Sequence, residues 1–152
     1  MKFFGWRMVF TGLAVEFTVI VFLFYSFPIF WPYLISELGM TESQLGMITA
    51  LYFIPVAILA ILIGRALDKY SVKNFMMIGA IIYAAGLFLL SFINSYWSLL
   101  TIYLTILALG SIMMGNLAVS KLISNWFDKN AGRALGISAV GISFSGVVLP
   151  LV

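Results

Sequence analysis

GRALDKYSVKN, residues 64–74, sets three cations and one acid between two long apolar runs. Around it the chain is oily: of 152 residues, 64% are hydrophobic and only 9% charged. A soluble domain carries about 25% charged residues and about half its residues apolar, because a folded core still needs a polar surface. This composition points instead to a surface that faces lipid, and so to an integral membrane protein. The eleven residues then read as a polar turn between two membrane spans.

Working outward from that turn, apolar runs cover about residues 8–35, 45–67, 75–93, 97–120 and 133–152. Each has about 19 residues or more, enough to cross about 30 Å of hydrocarbon at 1.5 Å per residue. The first run is too long for a signal-peptide core and no small-residue cleavage site follows it, so it reads as a retained helix. The charges sort by side. Lys2 and Arg7 precede the first run, Arg65, Lys69 and Lys73 occupy the second connection, and Lys121, Lys129 and Arg133 the fourth. The first connection holds only Glu37 and Glu42, and the third holds no charge. All 8 Lys and Arg thus fall on one side of an alternating path, and the positive-inside rule makes that side, with the N-terminus, cytoplasmic. The expected architecture is all-α, a polytopic bundle of five transmembrane helices in one compact unit.

The connections carry local signals. Gly39 suits a left-handed position ending the first helix. Thr41 and Gln44 have capping-box spacing for the start of the second. Asn94 and Ser95 punctuate the third connection. Pro55 lacks an N–H and predicts a kink in the second helix.

With no cysteine and no histidine, disulfides, cysteine-ligated metals and histidine proton switching are excluded, and a proton carried near neutral pH must use a carboxylate. No clustered carboxylate pair or metal-ligand spacing supports an enzyme, and no cofactor is expected. The net charge of +3 is placed for topology rather than for nucleic acid.

One charge lies deep in a span. Glu16 sits about 12 Å into the first helix at 1.5 Å per residue. An intramembrane acid is costly and faces a bundle interior or a watery path. It reads as a proton- or substrate-coupling group, or as a structural carboxyl that is protonated or paired with a cation such as Lys121 or Arg133. Thr11, Thr18 and Tyr25 recur every seven residues on another face of the same helix. In the fourth helix Thr101, Thr105, Asn116 and Ser120 fall within an arc of about 100°, a stripe that either lines an aqueous path or bonds to neighbouring helices. Glu16, Tyr25 and Asn116 are the candidates for a coupling or substrate path. The fifth run, with Gly132, Gly136, Gly141, Ser143, Ser145, Gly146 and Pro150, suits close helix packing. Its glycine string follows no strand and offers no phosphate-binding ending, so it is not a nucleotide loop.

At the opening stretch the chain resembles the major facilitator superfamily, many of whose members carry G-x-x-x-D-R/K-x-G-x-R/K in this loop. Gly64, Asp68, Lys69 and Lys73 match, and Ser71 stands where glycine is usual. The fourth connection and fifth helix, NWFDKNAGRALGISAVGISFSGVVLP, are similar to the W-F-x-x-x-R-G-x-A-x-G-x-x-x-x-G-x-x-x-G-x-x-x-x-P pattern of the monocarboxylate-transporter and oxalate/formate-antiporter branches. Trp126, Phe127, Gly132, Ala134, Gly136, Gly141 and Pro150 fit, while Ala131 replaces the usual arginine and Arg133 follows the glycine. The opening GWRMVF and the later FPIF resemble the oxalate/formate-type proteins.

The resemblance implies a secondary transporter, a symporter or antiporter of the plasma membrane, with two six-helix halves rocking around a midplane site. Gly64 is then expected to let backbones approach, and Asp68 to accept bonds from backbone donors or from cations on a facing helix. Lys69 and Lys73 anchor the turn to the cytoplasmic face, and the cluster latches the two halves together. The substrate implied is a small organic anion such as a monocarboxylate or oxalate/formate, with protons as a candidate co-substrate. Superfamily members have about twelve helices, so the chain reads as five helices of an N-terminal six-helix half, lacking its C-terminal partner half. The alternative reading is a non-transporting membrane subunit, or a truncated product, built on a carrier half.

Overall fold

A computed structural model describes residues 5–127 and 130–148; Lys2, Lys129 and Pro150 lie outside them. The described residues are helical and include no strand, which is the all-α bundle that the apolar runs predict. α1 comprises Gly5–Ile29 and, across a tight turn at Phe30, Trp31–Leu38. α2 is Glu42–Lys69, α3 Val72–Phe92, α4 Tyr96–Ser124 and α5 Ala131–Val148. Among the described residues, Gly5–Ile29 and α2 to α4 are helices long and apolar enough to cross a membrane.

Helix ends follow the local chemistry. Gly39 adopts φ 63°, ψ 25°, a left-handed conformation that only glycine takes without strain, and its N–H returns to Leu34 O. Thr41 Oγ1 accepts from Gln44 N at 3.3 Å while Thr41 N donates to Gln44 Oε1 at 2.9 Å, a complete capping box. Ser95 and Ser98 make the same reciprocal pair at the start of α4. Between α2 and α3, Ser71 has φ −64° and ψ 121°, ordinary extended backbone, so this turn works without a left-handed residue. α2 loosens at Tyr52, three residues before Pro55, where Val56 N reaches Tyr52 O only at 3.4 Å.

Two helices depart from regular α geometry in ways that reposition their faces. α1 widens into a π-helical turn at Val21–Tyr25, and α4 does so at Tyr103–Leu107. α4 is also interrupted at Gly115, whose φ −81° and ψ −148° are not helical, and restarts at Asn116. The stripe Thr101, Thr105, Asn116, Ser120 is therefore not one face. A wheel with about 100° per residue assumes an unbroken helix, and both the widened turn and the break shift its phase. Thr101 and Thr105 are exposed and bond back to Trp97 O and Thr101 O, at 2.8 and 2.6 Å.

α1 packs along α5, and α3 along α4. Small residues permit both approaches: a Cβ on Gly110 would stand 2.6 Å from Tyr83 N, and one on Gly141 would press on the backbone of Leu13. Buried side chains form one large cluster around Leu23, Leu45, Ile48, Tyr83, Tyr103 and Leu107. Smaller clusters gather around Val9, Val119 and Ile123, and around Ile63, Leu67 and Met113. Outward positions such as Phe10, Ile58, Ile61, Ile81 and Phe88 are more than half exposed, as expected for a lipid-facing surface.

Candidate functional site

The deepest polar cluster centres on Glu16. Its side chain is 4% exposed and is bonded from two other helices. Asn116 Nδ2, at the restart of α4, donates to Oε1 at 3.2 Å. Ser138 Oγ, on α5, donates to Oε2 at 3.5 Å. The break at Gly115 makes the first contact, because it aims Asn116 at α1. Any side chain at Gly115 would collide with Ser111 O, which a Cβ would meet at 2.5 Å. Both hydrogen-bond partners of Glu16 are neutral. The cation pairing considered for it is not formed: Lys121 is engaged elsewhere, and Arg133 stands exposed near Trp6 at the mouth of a 310 Å³ hollow.

Lys121 belongs to the cluster at the helix ends. Its Nζ donates to Asp68 Oδ1 at 2.6 Å, joining the end of α2 to the last turns of α4. Asp68 therefore takes a cation from a facing helix. Lys69 and Lys73 are exposed nearby in sequence, on either side of the turn. Gly64 is not at a close backbone approach. A Cβ there would meet nothing nearer than Leu117 Cδ2 at 3.9 Å, so packing within this chain does not require glycine. At the same end Trp6 meets Phe127 edge-on, with centroids 5.7 Å apart, while Trp126 is exposed.

The remaining sequence candidates separate. Thr11 and Thr18 are exposed and bond back to Arg7 O and Ala14 O. Tyr25 ends the π-turn, off their line, and its hydroxyl lies where a Gly146 side chain would stand, 2.5 Å from the added Cβ. Gly141 packs against α1, whereas Gly136 is exposed with nothing within 4 Å of its added Cβ. Gly136 is thus not the packing residue its motif position suggests. At the opposite end of α1 a hollow of 540 Å³ is lined by Phe22, Ser26, Tyr33, Ser91 and Tyr103 among others.

The family model for the Major Facilitator Superfamily matches residues 9–152. The chain belongs to the major facilitator superfamily. This is a transporter family rather than an enzyme family. The chain is similar to an MFS-type transporter, pynF, of Aspergillus niger, 25% identical over 145 residues that cover 94% of this chain and 33% of the relative. It is 26% identical over 112 residues to the riboflavin transporter MCH5 of Saccharomyces cerevisiae, covering 72% of this chain and 21% of that protein. A fujikurins efflux protein of Gibberella fujikuroi is 29% identical over 111 residues, covering 73% of this chain and 24% of that protein. The chain thus spans about a third or less of the curated relatives it matches. No solved structure matches it significantly. Within this major facilitator chain, Ser138 and the Lys121–Asp68 pairing were not legible in the sequence. Ser138 is one small polar residue in a glycine- and serine-rich helix, and only the packing of α5 on α1 distinguishes it.

Proposed function

We propose that this chain supplies the N-terminal helices of a secondary carrier that moves a small organic anion, such as a monocarboxylate or oxalate/formate, across the plasma membrane by alternating access. Glu16 couples protons to that movement. The observation that carries the reading is a membrane-buried carboxyl held by neutral donors from two other helices.

The coupling follows from hydrogen-bond inventory. An ionised carboxylate accepts at both oxygens, whereas a protonated carboxyl must donate from one of them. A proton on Oε2 only reverses the Ser138 bond, since a hydroxyl accepts as well as donates, whereas a proton on Oε1 faces the donor-only Asn116 Nδ2. Loading Oε1 therefore forces the link from α1 to α4 to rearrange. The cations Arg65, Lys69, Lys73, Lys121 and Arg133 stand at or near helix ends, so the positive charge facing a bound anion is assigned to helices beyond these. Two relatives are named for organic solutes, riboflavin and fujikurins, and the proposal keeps to that class. The W-F…G…P pattern narrows it to small acids.

The test is uptake by proteoliposomes holding the full-length gene product, with a panel of radiolabelled mono- and dicarboxylates under an inward proton gradient. Accumulation of one acid above its equilibrium level is expected. A panel in which no acid accumulates, while a neutral solute does, would overturn the anion assignment.

A further inference from the structure

The π-turn of α1 raises an accounting problem. Every backbone carbonyl inside a membrane needs a donor. In this turn the bonds run five residues back, as Ser26 N does to Val21 O. Past the turn the chain returns to α geometry at Ser26–Ile29, and Pro28 adds no N–H of its own there. The structure supplies a donor from outside the helix. Tyr103 Oη, from the first residue of the α4 π-turn, donates to Leu23 O at 2.5 Å. Tyr83 Oη, from α3, donates to Val19 O at 3.0 Å, just before the turn. Both tyrosines are almost wholly buried, 2% and 3% exposed. The Tyr103 ring also packs on Phe27, with centroids 4.7 Å apart. A third buried tyrosine, Tyr52, spends its hydroxyl differently, on Ser111 Oγ at 2.6 Å between α2 and α4.

We propose that Tyr83 and Tyr103 are positioning residues that hold a hinge in α1. Their hydroxyls bring donors from α3 and α4 to carbonyls at and just before the π-turn, and they set the angle between the stretch carrying Glu16 and the stretch 26–38. π-Turns within α-helices concentrate where a helix must re-aim. Two such turns, on α1 and α4, meet here through one tyrosine hydroxyl. The hinge is specified by two tyrosines that reach it from different helices. It rests on this geometry alone, whatever the transported solute.

Hydrogen exchange of the full-length protein in lipid nanodiscs tests it. Tyr103→Phe and Tyr83→Phe should each speed exchange in peptides covering residues 22–34 by about threefold, since an interhelical bond in a membrane is worth roughly 0.6 kcal/mol. Tyr52→Phe, which loses a bond that α1 does not make, should leave those peptides unchanged. Unchanged exchange in both single variants would overturn the proposal. So would acceleration spread evenly over α2 and α3.

Discussion

Replacing Gly141 by alanine tests the packing that brings Ser138 to Glu16. An added Cβ would press on the carbonyl oxygen of Leu13 and stand 3.1 Å from its carbonyl carbon and 3.2 Å from its Cα. These are backbone atoms of a helix and cannot swing aside as a side chain tip would. α5 must therefore move off α1, and a radial gap of about 0.5–1 Å already forfeits a quarter to a half of each van der Waals contact. Overpacking of this kind costs about 1–3 kcal/mol. Against it stands the gain of about 0.5–1 kcal/mol from replacing a helical glycine by alanine. Gly136→Ala separates the two effects. It lies on the same helix, open on its outer side, and collects the propensity gain alone. The difference between the variants isolates the packing cost, so Gly141→Ala is expected to be less stable than Gly136→Ala by about 1–3 kcal/mol. Unfolding by SDS titration in mixed micelles measures both. Equal stability of the two variants would refute the close approach of α1 and α5, and with it the α5 contact to Glu16.

Two further outcomes follow from the charged end. The Asp68–Lys121 pair is 68% and 39% exposed at its two side chains, and exposed pairs contribute at most about 1 kcal/mol. Asp68→Asn should therefore leave membrane abundance unchanged while lowering transport severalfold in the full-length carrier; normal turnover would show that the pair does not gate. If the cationic side is cytoplasmic, a cysteine introduced at Lys73 should react with a membrane-impermeant maleimide only after permeabilisation, and one at Ser43 in intact cells. The reverse pattern would invert the topology.

The fold was legible because it rests on strong, redundant signals. Long apolar runs and the Thr41–Gln44 box each act locally, and no tertiary contact is needed to read them. The polar cluster was half legible. Glu16 announces itself as a charge in hydrocarbon, but its partners depend on a one-residue break at Gly115 and a π-turn at Tyr103–Leu107. Periodicity assumes a continuous helix, so a wheel put Asn116 in a stripe with threonines that the structure turns back on their own helix. Two glycines of one motif part company for a similar reason. Gly141 and Gly136 look alike in sequence, and only the path of α1 past α5 decides which is needed. Tyr83 and Tyr103 did leave a signal. A tyrosine in mid-span, away from the interfacial belts, must find an acceptor for its hydroxyl; which acceptor is a matter of tertiary structure.

Proton-driven uptake by the full-length protein bearing Glu16→Gln tests the central claim most directly. Glutamine preserves the size of the side chain and, with one accepting oxygen and one donating amide, resembles the protonated carboxyl, but it carries no titratable proton. The account predicts that the variant inserts normally and still equilibrates labelled acid down its gradient, yet no longer accumulates it under an imposed proton gradient. Accumulation equal to wild type would contradict the assignment of Glu16 as the coupling group.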